Sequence, residues 1–150
     1  MGVKRNMILG KGFNWYFKII QTTFLIVASW VVFSGLIGRI PLIGWAFVLI
    51  STPITWLLRL GGAGYVGYQT VKKYQGTNLQ ALVSGGIFGA GIGIASMIVS
   101  LLKTLLSIRV GAMFFGTFAL VMVVISEAVT GLVVGFIGGI IAGSKNEEKK

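Results

Sequence analysis

The chain has 150 residues, of which 55% are hydrophobic and 11% are charged, with a net charge of +10 and a mean hydropathy of +0.92. A water-soluble domain carries about 25% charged residues, so this composition excludes such a domain and predicts a membrane protein. The absence of Cys and His excludes disulfides, thiolate metal sites and the commonest general base.

Four apolar runs are each long enough to cross a membrane as a helix, because about 20 apolar residues span a hydrocarbon core of about 30 Å. Charged residues bound these runs, as Lys18 and Arg39 bound the first. The polar segment 72–78 contains a turn-forming glycine and is interpreted as a loop. We therefore predict one all-α domain, an integral membrane bundle of four transmembrane helices. It comprises a basic arm at 1–18, spans at about 19–38, 42–68, 79–102 and 111–143, and a charged, frayed tail at 144–150.

The last apolar run is longer than one crossing needs. From residue 110 to residue 143 a helix would extend roughly 50 Å, at about 1.5 Å per residue. We expect it to tilt, protrude or break, although no polar turn divides it into two spans.

Lysine and arginine beside the spans predict that both termini are cytoplasmic. Nine of them lie on one side of the predicted bundle (four in the arm, two in the second loop, three in the tail), against three on the other side. Cytoplasmic segments carry the excess of such residues. Because these residues adjoin apolar runs, they indicate contact with anionic lipid headgroups and not with nucleic acid.

Glycine recurs at every fourth position in the last two spans. Small residues at this spacing share one helix face and let neighbouring backbones approach closely in lipid. We predict that these two glycine ladders pack helices, either within the monomer or against a partner subunit. They are Gly85, Gly89 and Gly93 in the third span, and Gly131, Gly135, Gly139 and Gly143 in the fourth.

Glu127 is the only acidic residue before the tail, and it lies inside the last span. An ionisable group within a span is a functional-site hypothesis by default. Four residues before Gly131, it shares the face of the ladder. Its candidate partners are Arg59 in the second span and, near the outer side, Lys103 and Arg109. A count of helical rise places Arg59 about 15 Å and Glu127 about 25 Å from the inner ends, which favours the outer two.

The intramembrane acid has three interpretations. It is one half of an ion pair or hydrogen bond that fixes helix register, a proton-binding carboxylate in an ion pathway, or a contact for lysine or arginine in a larger complex. Catalysis is not expected, because one carboxylate without His or Cys provides no acid–base pair and no metal cage. The segment Gly62-Ala-Gly64-Tyr-Val-Gly67 matches a dinucleotide-binding pattern, but it ends a membrane helix and no acid follows it. We expect no cofactor, no metal and no soluble substrate.

The four-span plan and the helix end Gly135-Phe-Ile-Gly-Gly-Ile-Ile-Ala-Gly143 resemble the small, glycine-rich, four-span membrane proteins of archaea and bacteria, which are mostly of unknown function. The resemblance implies a prokaryotic cytoplasmic membrane and no particular activity. The leading hypothesis is a non-catalytic accessory or scaffold subunit of a larger membrane complex, in contact with lipids and with other transmembrane subunits or copies of itself. The alternatives are a small oligomeric ion or proton conductor that uses Glu127, and a holin-like protein that permeabilises membranes.

Overall fold

The protein is an all-α bundle, as the sequence predicts. The computed structural model describes residues 7–38, 40, 44–105 and 113–147. In chain order the elements are a short hairpin of β1 (Met7–Ile8) and β2 (Lys11–Gly12), then α1 (Phe13–Ile37), α2 (Gly44–Lys72), α3 (Asn78–Leu105) and α4 (Met113–Glu147). Each of the four helices contains a segment long and apolar enough to cross a membrane, which confirms the predicted fold class.

The helices extend beyond the apolar runs from which they were predicted. α1 begins at Phe13, inside the predicted arm, and α4 continues to Glu147, inside the predicted tail. Backbone N–H and C=O groups must be hydrogen-bonded, and a helix that continues past the hydrocarbon core keeps these bonds within itself. If the helix ends there, water or capping groups must replace them. α4 is also unbroken over its 35 residues, which excludes a break there.

Consecutive helices run antiparallel. Between α2 and α3, Arg59 hydrogen-bonds Ser96 whereas Thr70 hydrogen-bonds Ser84, so residue numbers rise in one helix as they fall in the other. The same reversal relates α1 to α2 and α3 to α4. α1 and α4 each pack on both α2 and α3, which therefore form the centre of the bundle.

The membrane segment of α3 is the most buried of the four, and all four helices also present apolar side chains outward. Phe88 and Ile92 of α3 are fully buried in a cluster with Val27 of α1 and Val66 of α2. Of the membrane segment of α3, 44% is buried, against 11% for α4. Apolar faces of this extent mark contact with lipid or with another protein, and they support an integral membrane location.

α3 and α4 approach each other at backbone contact. A β-carbon on Gly135 would lie 2.7 Å from Cα of Gly85 and 2.9 Å from the carbonyl oxygen of Ala81, closer than real β-carbons come. The carbonyl of Gly135 also lies directly against Gly67 in α2, so three helices meet at this residue. Glycine is required here because any side chain would force the helices apart.

The remaining ladder positions follow the same interface except at its end. The structure places Gly131 against Gly85 and Gly89, and Gly139 against the side chain of Ala81. A β-carbon on Gly93 would lie 2.8 Å from Cα of Val124, whereas one on Gly143 would meet no atom within 4 Å. The two ladders therefore face each other within one chain, and Gly143 alone among their seven glycines borders open space.

Candidate functional site

A cleft of about 310 Å³ opens between α1, α2 and α3 in the half of the bundle away from the hairpin. Hydroxyl groups from three helices dominate its polar surface, and we call it the polar cleft. They are Ser34 of α1, Ser51, Thr52 and Thr55 of α2, and Ser96 and Ser100 of α3. These hydroxyls make the cleft polar, in contrast to the apolar surface that the helices present to lipid.

Backbone carbonyls of the same helices accept from most of these hydroxyls. Thr55 donates to the carbonyl of Ser51 at 2.7 Å, and Ser96 donates to the carbonyl of Ile92 at 2.9 Å. Back-bonding of this kind is common for Ser and Thr on helices, and it leaves the hydroxyl oxygen able to accept. Thr55 and Ser96 use that capacity, accepting from Trp30 at 3.0 Å and from Arg59 at 2.9 Å.

Arg59 of α2 lies on the polar cleft and forms an ion pair with Glu127 of α4. The two side chains are 18% and 13% exposed, and Arg59 also donates to Ser96 of α3. The site thus connects three helices. Pairing offsets part of the free energy of placing each charge in a medium of low dielectric, and removal of one partner leaves the other uncompensated.

Glycine packing positions the acid. The backbone of Glu127 lies directly against Gly89, and a β-carbon on Gly93 would lie 3.3 Å from Cβ of Glu127. Because α3 has no side chains at these two positions, α4 approaches closely enough to bring its carboxylate to Arg59. The ladder and the acid therefore belong to one arrangement.

Of the three candidate partners of Glu127, the structure pairs it with Arg59, which the estimate of depth did not favour. The estimate of depth from helical rise assumed that the inner ends of the spans lie at equal depth. The register between α2 and α4 is instead set by the contact of Gly67 with Gly135. Arg59 and Glu127 each precede that contact by eight residues, and α2 and α4 run in the same direction, so the two lie at one height. The side chain of Lys103 and the whole of Arg109 lie outside the described residues.

The Arg59 guanidinium carries a buried donor without an acceptor in the described part of the chain. Its Nε is buried and has no hydrogen-bond partner among the residues that the structure describes. An unsatisfied buried donor costs about 1–3 kcal/mol, so a further acceptor at this position would stabilise the site.

Arg59 lines the polar cleft, whereas Glu127 lines a smaller space that Arg59 also borders. Beside the pair, a space lined by Phe88, Gly89, Thr130 and Gly131 measures only about 10 Å³. That volume is at the lower limit for a single water molecule. The polar cleft therefore reaches Arg59, while the glycine-packed side of the ion pair has almost no free volume.

The hydroxyls of the polar cleft were not identified from the sequence, although a signal exists. Ser51, Thr55 and Arg59 follow one another at every fourth position, as do Ser96 and Ser100, so each set lies on one helix face. Within the described part of the chain, no cluster of three acidic, His or Cys side chains is suited to a metal ion. No protein-family model, curated protein or solved structure matches this chain.

Proposed function

We propose that the chain is a small ion or proton conductor, with the Arg59–Glu127 pair as its working group. The observation that carries this proposal is the position of Arg59, the ion-pair partner of Glu127, on a cleft lined by hydroxyls. A pair that only fixes helix register has no need of a polar approach, whereas a group that exchanges ions does. Ionisable residues that line such cavities in membranes are typical of ion and proton pathways.

Electrostatics define what the site has to accomplish. A proton that reaches Glu127 neutralises the carboxylate and leaves the Arg59 guanidinium as an unpaired cation. In a medium of low dielectric that state requires another acceptor. Ser96 and the cleft hydroxyls supply neutral acceptors, and an anion that enters with the proton would replace the carboxylate. Proton release restores the ion pair. Glu127 therefore alternates between a charged form paired with Arg59 and a neutral form, in which other acceptors stabilise the guanidinium.

The test is proton flux into liposomes that contain the purified chain, followed with an enclosed pH dye under a clamped membrane potential. We expect Glu127→Gln to reduce the flux at least tenfold, because an amide cannot take up the proton. Thr130→Val, a change of similar size beside the pair, is the matched control and should retain most of the flux.

Loss of folding must be separated from loss of the proton site. The double variant Arg59→Gln/Glu127→Gln replaces the ion pair with a neutral pair and leaves no buried charge unpartnered. We expect it to be folded and inactive. Equal flux in the wild type and in a folded Glu127→Gln variant would refute the proposal.

The outer face of α4 supports a second candidate, a non-catalytic accessory or scaffold subunit of a larger membrane complex. A stripe of apolar residues at every fourth position of α4 is about half exposed: Val121, Ile125, Val129, Val133 and Ile137. Such a face suits lipid or a partner helix. This candidate rests on the stripe, because the ladder glycines, Gly143 excepted, are in contact within the chain.

Native mass determination after extraction in mild detergent tests this second candidate. A defined complex with other chains would favour the accessory subunit, with its function set by those partners. A monomer or homo-oligomer would favour the conductor. The two candidates thus predict different masses for the same preparation.

We also infer that the end of the bundle with the hairpin faces the cytoplasm of a prokaryotic cell. Basic and aromatic side chains pair at this end, with Lys11 over Trp15, Lys72 over Tyr68 and Lys73 over Tyr74. Aromatic residues favour the membrane interface, and lysine favours the cytoplasmic side.

A further inference from the structure

A second concavity lies on the outside of the bundle, between α1 and α2. It has a volume of about 480 Å³, within the range of ligand-binding pockets. Its lining changes character along its length: Lys18, Lys73 and Gln69 lie toward the hairpin end, and Ile26 and Leu57 lie toward the middle of the membrane. None of its lining residues belongs to the polar cleft. We call it the lipid groove, for the reasons that follow.

Two adjacent glycines produce the groove. Gly62 faces inward, where a β-carbon would lie 2.7 Å from the ring of Phe88. Gly61 faces outward, where a β-carbon would meet no atom within 4 Å. The missing side chains leave a channel between α1 and α2 that is open to the bilayer. The close contact of Gly62 with Phe88 fixes the position of the helix backbone at the base of this channel.

The hairpin end of the groove carries positive charge without a compensating acid. Lys18 and Lys73 are both exposed, and they approach the groove from α1 and α2. Among the described residues the only ion pair joins Arg59 to Glu127, so neither lysine has a carboxylate partner. Two lysines from neighbouring helices at the membrane surface attract an anionic headgroup.

The dimensions match a lipid and not a small soluble anion. From Lys18 to Ile26 the groove follows α1 for eight residues, or about 12 Å. That is most of one leaflet of a hydrocarbon core about 30 Å thick. The apolar part begins where the headgroup region ends, as it must for a molecule with a charged head and an acyl chain.

We propose that the lipid groove binds one anionic phospholipid from the surrounding membrane. The phosphate lies between Lys18 and Lys73, and one acyl chain lies over Gly61 toward Ile26 and Leu57. The proposal is independent of ion conduction, because the groove and the polar cleft share no residue. It requires only that the chain lies in a bilayer with anionic lipid.

Native mass spectrometry of the full chain in mild detergent tests the proposal, with phosphatidylglycerol and phosphatidylcholine as probes. We expect one phosphatidylglycerol to remain bound per chain under conditions that remove phosphatidylcholine. Gly61→Leu should abolish this retention, because the new side chain fills the groove. Gly143→Leu is the matched control: it also points into open space but lies outside the groove, and it should bind as the wild type does.

The charges are tested separately. Lys18→Gln/Lys73→Gln should weaken phosphatidylglycerol binding about thirtyfold, since a lysine near the surface contributes about a fivefold change in affinity. Lys72→Gln removes a neighbouring charge outside the groove and should have little effect. Equal retention of the two lipids, or equal binding by the Gly61→Leu and Gly143→Leu variants, would overturn the proposal. A dimer that Gly61→Leu dissociates would overturn it as well, by identifying a second copy as the occupant.

Discussion

At the scale of single residues, Gly135 lies where three helices meet at backbone contact. It contacts Gly67 of α2 and Gly85 of α3 through backbone atoms, so it has no room for a methyl group. Its neighbours are themselves backbone, which cannot rotate aside as the end of a side chain can. The residue therefore fixes how closely three helices approach.

We predict that Gly135→Ala destabilises the protein by about 1–3 kcal/mol, the usual range for overpacking a tight interior. The added methyl group would lie 2.7 Å from Cα of Gly85, so the helices must separate. Thermal unfolding in detergent measures the effect. Gly143→Ala places the same group in open space and serves as the control, since both changes raise helix propensity equally. Equal melting temperatures for the two variants would contradict this account of Gly135.

Residue types could be singled out from the sequence more readily than residue contacts. Glu127 and the glycine spacing are visible because a lone acid and a period of four are properties of the chain itself. The partner of Glu127 is not, because it depends on the register between α2 and α4, which the Gly67–Gly135 contact sets. An estimate of depth from the ends of the spans does not include the Gly67–Gly135 contact. It therefore favoured Lys103 and Arg109.

At the scale of elements, the start of α3 ties the hairpin to the bundle. Thr77 and Gln80 form a reciprocal capping box, with the Thr77 amide donating to Oε1 of Gln80 at 3.0 Å and the Gln80 amide donating to the Thr77 hydroxyl at 3.2 Å. The same Gln80 side chain donates to the carbonyl of Leu9 at 3.0 Å. A second anchor comes from Tyr16, whose hydroxyl donates to the carbonyl of Ile8 at 2.9 Å.

We predict that Gln80→Ala loosens the hairpin without unfolding α3. Loss of one hydrogen bond should accelerate hydrogen exchange at the hairpin amides by up to about tenfold. Thr77→Ala also weakens the cap of α3 but keeps the bond from Gln80 to Leu9, so exchange in the hairpin should stay near the wild-type rate. Exchange that rises equally in both variants would show that the cap, and not the bond to Leu9, holds the hairpin.

The helices were predictable as elements, whereas the hairpin was not. Long apolar runs identify a membrane helix by length alone, and the loop predicted at 72–78 lies where α2 ends and α3 begins. The hairpin turns at Leu9 and Gly10, with φ of 50° and 79°. A two-residue turn in which both φ angles are positive usually has the sequence Asn-Gly, and leucine is rare in that conformation. The local sequence therefore gives no hairpin signal, and the contacts from Tyr16 and Gln80 stabilise it instead.

At the scale of the whole molecule, the orientation in the membrane is open to a direct test. The chain has no native cysteine, so single cysteines can be introduced without a background. We predict that Gln75→Cys, between α2 and α3, reacts with an impermeant maleimide only from the cytoplasmic side. Ile40→Cys, between α1 and α2, should react only from the opposite side. The reverse pattern would place the hairpin end outside the cell and contradict the count of basic residues.

The number of helices follows from the sequence, but their arrangement does not. In a membrane, a side chain that faces lipid and one that faces another helix are equally apolar, so hydropathy does not distinguish the inner faces. Glycine spacing indicated the faces of α3 and α4 that meet. It did not indicate that α2 and α3 form the centre, or that a polar cleft opens between α1, α2 and α3.

The Arg59–Glu127 pair also has a consequence for biogenesis. The two residues are 68 positions apart, so the ribosome needs about 3–14 s to reach the acid after the arginine, at about 5–20 residues per second. During that interval α2 carries an uncompensated charge, with an insertion penalty of about 2.5–3.5 kcal/mol at mid-membrane. Stable integration of the second helix is therefore coupled to synthesis of the fourth. In a nascent chain that stalls before Glu127, α2 is the least stably inserted helix.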